Sequence, residues 1–485
     1  MPLAFIGLHL WIPVEGNRLS AWGQSAFGLL LAYLALVGLS TGGLSTELTA
    51  TLAGTGLPIE LGAYLDGRNA AFVLLLGLCL PIIFVLLRER TALARRPSYF
   101  VASNLLVMSL LGVFTARGLL AFYFYWELAL VAAYFWIGQH GRPLSGGPSV
   151  QGALMRFVLV TVAGSLPMLL SVGLVCVRAG RDPGIAGLPA TIASLDPDAA
   201  ALACIGFLLA FAIKLPLLGF HGWLRDLYAV APPACRALLS AVMSKMGAYG
   251  LLIVLVPAFN TTLVAWQKPL MGLAVAGAVY GGVVCLAQKR LVDMLAYASL
   301  AHLNLLALGA FVGATGDATA WTGALFQALN HGLIMALLFA LDARANTDGS
   351  SVSSDTDGGL RHTEGRLAAL LLVGLFAAAS LPGLSSFAGE VMIYLSAYRV
   401  SPWLLVLGAL GALVTAAASF RLFHVTFLGP ARGTTPRAAD LSLAETALGL
   451  AVAGLWIFLG LAPMTLLAPI EQALTTGLSF TGLVP

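Results

Sequence analysis

The apolar positions of this chain fall in long unbroken runs, separated by short polar stretches rich in Gly, Pro, Ser and Arg. A run of ~20 apolar residues is long enough to cross a bilayer as a helix. Segmenting on that length gives about fourteen helices. They fall at 3–13, 24–42, 70–87, 99–116, 119–138, 153–177, 202–224, 235–257, 269–287, 295–313, 321–341, 367–395, 402–426 and 442–466. A membrane barrel would instead show short segments of alternating character. The pattern therefore predicts an all-α polytopic protein forming a single membrane domain over 1–485. The longest polar stretch, "LDARANTDGSSVSSDTDGGLRHTEGR", reads as a flexible loop, and "STELTATLAGTGLPIELGAYLDGR" as a second loop carrying Glu60 and Asp66.

Two of the runs are interrupted. "GFLLAFAIKLPLLGFHGWLRDLY" has Pro216 two residues after Lys214, and "LFAAASLPGLSSFAGEVMIYLSAY" has Pro382 and Gly383 before Glu390. Proline removes a backbone donor and bends or breaks a helix. Broken helices at corresponding places in two halves point to inverted repeats of the kind found in transporters. The spacing of about five spans suits repeats at 99–257 and 269–427, with amino-terminal helices over 1–98 and a last helix and tail over 428–485.

Composition supports the membrane reading. Of 485 residues, 59% are hydrophobic and 9% charged, with a mean hydropathy of +0.94. Soluble domains carry roughly 25% charged residues. The net charge of +4 is small and has no basic patch behind it, which argues against nucleic-acid binding. The five cysteines, Cys79, Cys176, Cys204, Cys235 and Cys285, are scattered singly. No CxxC pair, GxGxxG after a strand or GxxxxGK[ST] occurs, so the chain is expected to hold no cofactor or metal of its own. Most Lys and Arg, among them Arg142, Lys289, Arg290, Arg344, Arg361 and Arg366, fall on one side of the segmentation. That side is expected to be cytoplasmic, which places both termini outside.

The chemistry lies in the charges within the runs. Glu127, Lys214, Lys245 and Glu390 fall inside spans, where a charge costs ~3 kcal/mol or more. Such groups pair with one another, face a protein interior, or move ions. Loss of water favours the neutral form of an ionisable group, and a nearby opposite charge favours the ionised form. At ~6 Å and an effective dielectric of ~20 that attraction is about 3 kcal/mol. A carboxylate such as Glu127 moving toward or away from a lysine can therefore set whether the lysine holds its proton. His302, with Ser299 one turn back, and His331, with Gln327 at i−4, are spaced to carry protons between charged groups. His221 lies near a helix end and suits either a relay or an interfacial position.

The segments "LLAFYFYWELALVAAYFWIG", "FAIKLPLLGFHGWLRD", "APPACRALLSAVMSKMGAYGLL", "LAYASLAHLNLLALG", "LNHGLIMALLFAL" and "LPGLSSFAGEVMIYLSAY", in this order, resemble the antiporter-like membrane subunits of respiratory complex I. The likeness is strongest to the subunit M (NADH dehydrogenase subunit 4) family and covers roughly residues 60 to 465. It implies fourteen helices in two inverted five-helix repeats, with helices 7 and 12 broken. It also implies a redox-silent, proton-translocating subunit of NADH:quinone oxidoreductase in a bacterial inner membrane, without activity alone. NADH, flavin, iron–sulfur clusters and quinone would belong to partner subunits, with sister antiporter-like subunits alongside. By the resemblance, Glu127 pairs with Lys214, Lys245 is the central lysine, Glu390 the helix-12 carboxylate, and His302 and His331 are relays. The same module in a cation/proton antiporter, a membrane-bound hydrogenase or an inorganic-carbon uptake complex remains open, as does a solitary transporter. The sequence departs from the family at Arg225, where proline is usual, and at Val292 and Asp293, where a basic pair is usual. Gly118 stands where the family has Asp.

Overall fold

The computed structural model describes residues 17–41, 43–46, 49–51, 58–87, 97–143, 147–345, 351–432 and 439–478. The expected helix at 3–13 lies outside them. Helices α1 (Asn17–Thr41), α2 (Ala70–Leu87), α3 (Pro97–Thr115), α4 (Leu119–His140) and α5 (Val150–Ala179) form the first part of the bundle. A short α6 (Leu188–Ala193) leads to α7 (Pro197–Lys214), and after a break to α8 (Leu224–Val230). The chain continues through α9 (Pro233–Leu286), α10 (Leu291–Gly313) and α11 (Ala318–Ala345). A second break separates α12 (Gly365–Ala378) from α13 (Ser385–Val400), and α14 (Pro402–Leu428), α15 (Leu443–Leu461) and α16 (Met464–Leu478) follow. Among the described residues eleven helices are long and apolar enough to cross a membrane.

The helix starts follow local chemistry. Pro197, Pro233 and Pro402 occupy first turns, where a missing N–H costs nothing. Ser149 and Asp196 accept from Gly152 N and Ala199 N as N-caps, and Ser442 with Glu445 forms a reciprocal capping box. The sequence segments at 235–257 and 269–287 correspond to two helical stretches that run end to end across a kink and together make up the 54 residues of α9. At ~1.5 Å per residue this is far longer than one membrane crossing. It bends at Phe259 (φ −122°, ψ 22°), just past Pro257, whose ring and missing donor also disturb the preceding turn. There, Gly250–Leu255 is wound as a wider π-helix, as is Leu239–Met243.

The core is built on α10 and α11, whose residues are nearly all buried. By contrast α5, α14 and α15 present Leu170, Val177, Trp403, Leu413 and Leu461 outward. That is the surface a lipid-embedded chain offers to tails or to other membrane helices. Loops gather at two ends as the segmentation expects. At one end short antiparallel pairs join β1 (Leu44–Ser45) to β4 (Tyr64–Leu65) and β2 (Thr49–Thr51) to β3 (Pro58–Glu60).

At this same end the start of α4, where Gly118 stands, is capped from a distance. Asp182, from the loop after α5, accepts from Leu119 N at 2.9 Å, Leu120 N at 3.4 Å and Glu60 N at 3.2 Å. A Cβ on Gly118 would lie 2.4 Å from Asp182 Oδ2 and 2.5 Å from Glu60 O, so glycine makes room for this distant cap. Burial pushes the Asp182 carboxyl up to about 6, against the pull of the three N–H donors.

At the opposite end the described part of the polar stretch expected to be flexible, from 351 onward, is packed. Asp342 Oδ1 accepts from Ser351 Oγ and Val352 N, both at 3.0 Å, and Leu291 N donates to Val352 O at 2.8 Å. Val352, Asp357, Leu360 and Glu364 are buried. Composition alone marks such a segment as loop, but it does not reveal that a buried carboxylate collects its backbone.

Candidate functional site

The break after α7 is kept tolerable by one side chain. Asn304 Nδ2 donates to Pro216 O at 3.3 Å and Asn304 Oδ1 accepts from Leu218 N at 3.3 Å. These are backbone groups that the interrupted helix leaves unpaired, and a buried unpaired group is costly. At the second break Asn330 Nδ2 donates to Ser385 O at 3.2 Å, tying α11 to the first turn of α13. Each asparagine sits beside a histidine, in "AHLN" and "LNHG". The sequence reading singled out the histidines and missed the asparagines, although a carboxamide in an apolar run next to a predicted break is a usable signal.

Lys214 is the last residue of α7 and is 2% exposed. Its Nζ lies 5.7 Å from the Trp126 ring centre and 5.5 Å from that of Phe157. Both faces can stabilise an ammonium through their ring quadrupoles. Glu127, half-buried on α4, acts on Lys214 through space without ion-pair contact among the described residues. Its Oε1 is buried with no protein partner among them. The two groups are thus neighbours rather than a closed pair. Trp126 and Phe157 were not foreseen as its companions.

Lys245 is wired differently. It lies between the two π-helical stretches and is fully buried. Its Nζ donates to Ser240 O at 2.8 Å and to Ser244 Oγ at 3.4 Å, and it is 2.7 Å from His331 Nδ1. The His331 and His302 rings follow at 5.4 Å between centres. His302 Nε2 then stands 3.9 Å from Glu390 Oε1. Gln327 Nε2 donates to Glu390 Oε1 at 3.1 Å, and Tyr394 OH to Oε2 at 3.4 Å. Ser386 Oγ donates to Gln327 Oε1 at 3.4 Å. Five expected residues therefore come together: Lys245, His331, His302, Gln327 and Glu390. Ser299 Oγ and His331 Nε2 are buried without a protein hydrogen-bond partner among the described residues. Buried polar atoms of this kind are ordinarily satisfied by water. His221 stands apart, its ring 5.1 Å from that of Tyr280.

The end of α7 meets α9 at a small residue. A Cβ on Gly247 would sit 2.6 Å from Leu215 N, so α9 presses directly on the end of α7. What results is a buried row of ionisable groups inside an apolar bundle, Lys245–His331–His302–Glu390, with Lys214 and Glu127 forming a separate neighbouring grouping. This row lies within a segment, residues 116–415, that matches the family described as NADH:quinone oxidoreductase/Mrp antiporter, TM.

The chain belongs to this family. It is 34% identical to NADH-quinone oxidoreductase subunit 13 of Thermus thermophilus, over 88% of this chain and 85% of that one. It is 30% identical to NADH-quinone oxidoreductase subunit M of Pseudomonas aeruginosa, over 85% and 81% respectively. In three dimensions it matches a chain of respiratory complex I from Thermus thermophilus with bound NADH. There the TM-score is 0.84 at 30% identity, covering 100% of this chain and 98% of that one. A chain of the Mrp complex from Dietzia sp. gives a TM-score of 0.82 at 18% identity, covering 99% and 96%, a likeness of fold. The fold is thus shared by chains of more than one membrane assembly.

Proposed function

We propose that this chain is a redox-silent, proton-translocating membrane subunit, of the subunit M kind, in a NADH:quinone oxidoreductase of the complex I type. The observation that carries the reading is the contiguous buried chain Lys245–His331–His302–Glu390. Protons enter from the cytoplasmic side, occupy the Lys214–Lys245 region, and leave past Glu390. Changes at Glu127 set whether Lys214 holds its proton, because their attraction acts across a gap rather than through a fixed bond. His221, Ser299 and Gln327 assist, Gln327 by orienting Glu390.

NADH, flavin, iron–sulfur clusters and quinone belong to partner subunits, and the chain contacts those and sister antiporter-like subunits in a bacterial inner membrane. Residues 99–257 and 269–427 act as two inverted repeats, and both termini face outward. The isolated chain has no redox activity. A cation/proton antiporter of the Mrp type is the second reading, favoured by the fold likeness to that complex.

The deciding experiment is purification of the chain with its native partners, followed by mass spectrometry and proton uptake in vesicles. Co-purified NADH-oxidising flavin and iron–sulfur subunits, with NADH-driven pumping lost in Lys245→Ala, are expected. Recovery with antiporter subunits alone, and exchange driven by an ion gradient, would move the chain to the second reading.

A further inference from the structure

Arg225 and Asp293 stand at two positions where the sequence departs from its family, 68 residues apart, and they meet. Arg225 Nε donates to Asp293 Oδ1 at 3.0 Å and Nη2 to Oδ2 at 3.4 Å. A two-point grip of this kind fixes orientation as well as distance. Asp293, in the first turn of α10, is 3% exposed and is also held by Arg290 Nε at 2.6 Å. The neighbouring Asp226 pairs with Arg156 of α5 and lies 3.5 Å from Arg225 itself. Behind them the buried Arg236 and Asp342 stand 3.6 Å apart.

Helix α8, which carries Arg225, has only seven residues. On one side of it the backbone is interrupted over 215–223, where Gly219 has φ +92° and open space around it. On the other side Pro232 and Pro233 end it. A helix this short does not hold itself in place. Its seat comes from Trp223 Nε1 on Ile213 O at 3.2 Å, from Asp226 on α5, and from Arg225 on α10.

We propose that the Arg225–Asp293 pair is a latch that seats α8 against α10, and that α8 in this seat covers the cytoplasmic approach to Lys214. Two features make the latch reversible. The Arg225 side chain is 38% exposed, so water screens its pairing. When Arg225 leaves, Asp293 keeps Arg290, so opening strands no buried carboxylate. Arg225 is a positioning residue: it touches neither lysine. Its part in proton uptake rests on the direction of uptake proposed above.

The test uses the whole assembly in inverted membrane vesicles, with Arg225→Gln, Asp293→Asn and the two together. Each single variant is expected to lower protons moved per electron at least about threefold with unchanged assembly. The double variant should be no worse than the poorer single one within about twofold, because both changes break the same pair. Hydrogen exchange of the amides at 224–230 should speed up about tenfold in Arg225→Gln and no further in the double variant. Should Arg225→Gln not assemble, Arg225→Lys, which keeps the charge but loses the two-point grip, must give the same direction of exchange. Unchanged exchange in the single variants, single effects that add in the double variant, or faster exchange with an unchanged proton ratio would each overturn the latch. Wild-type vesicles that oxidise no NADH would overturn the complex I assignment, and the exchange pattern would still decide whether α8 is seated by this pair.

Discussion

Lys214 and Lys245 are both fully buried lysines, one at the end of α7 and the other in α9 pressed against it, yet they are held in different ways. Lys245 has a carbonyl, a hydroxyl and an imidazole nitrogen within hydrogen-bond distance. Lys214 has two aromatic rings and a carboxylate beyond contact distance. Hydrogen bonds are lost within an ångström of movement, so Lys245 depends on partners that stay in place. Attraction to a distant charge changes gradually with distance, so Lys214 can be tuned by a helix shift without breaking a bond. The Glu127–Lys214 grouping thus has the physics of a switch and the row from Lys245 to Glu390 that of a wire.

Removing either lysine should have the largest effect. Lys214→Ala and Lys245→Ala are each expected to lower NADH-driven vesicle acidification, followed by a pH-sensitive dye, at least about tenfold, as loss of a proton-transfer group does. Assembly, checked by native gel, should persist, because alanine leaves no unpaired buried charge in place of the lysine.

A sharper contrast comes from shortening each carboxylate by one methylene. For charges roughly 6 Å apart at an effective dielectric of about 20, a 1 Å retreat changes the attraction by about 0.4 kcal/mol. Losing charge-assisted hydrogen bonds costs about 1.5–3 kcal/mol. Glu127→Asp should therefore keep at least about half of the pumping rate. Glu390→Asp, withdrawn from Gln327 and Tyr394, should lose it severalfold in the same assay. Equal losses at the two sites would remove the distinction between switch and wire.

Gly118→Ala should act on the Glu127–Lys214 grouping through the placement of α4. Its Cβ would strike Asp182 Oδ2 and Glu60 O, and overpacking of this kind costs about 1–3 kcal/mol. A lower melting temperature of the purified assembly, with Glu390 and its partners unaffected, would show it.

The smallest effect is the pH response of Asp182. Its carboxyl sits at about 6 in the folded chain against 3.8 ordinarily, so between these values the folded state holds a proton that the unfolded chain has lost. Stability from this group is therefore greatest below pH ~4, falls as pH rises through about 6, and is level above that. Asp182→Asn should flatten the dependence of amide exchange at Leu119 and Leu120 over that range while keeping an oxygen for their N–H groups.

Much of this arrangement can be read from residue order. Spans follow from apolar run length, and both breaks from Pro216 and Pro382 beside ionisable residues. Intramembrane position singles out Lys245, Glu390, His302 and His331, but that these four meet is visible only in the structure. Other features depend on contacts between residues far apart in the chain. Nothing local says that Asp182 caps a helix sixty-three residues earlier, that Asn304 closes the gap at Pro216, or that Arg225 finds Asp293. The kink at Phe259 falls between the two segments that run length separates, so that boundary is legible in the sequence.

The most direct measurement is the number of protons moved per electron in an assembly carrying His331→Gln. Glutamine can still hydrogen-bond to Lys245 but cannot take up and release a proton between Lys245 and His302. A ratio that falls while NADH oxidation and assembly are retained is the expected result. An unchanged ratio would mean that protons do not pass along this row, and would contradict the wire.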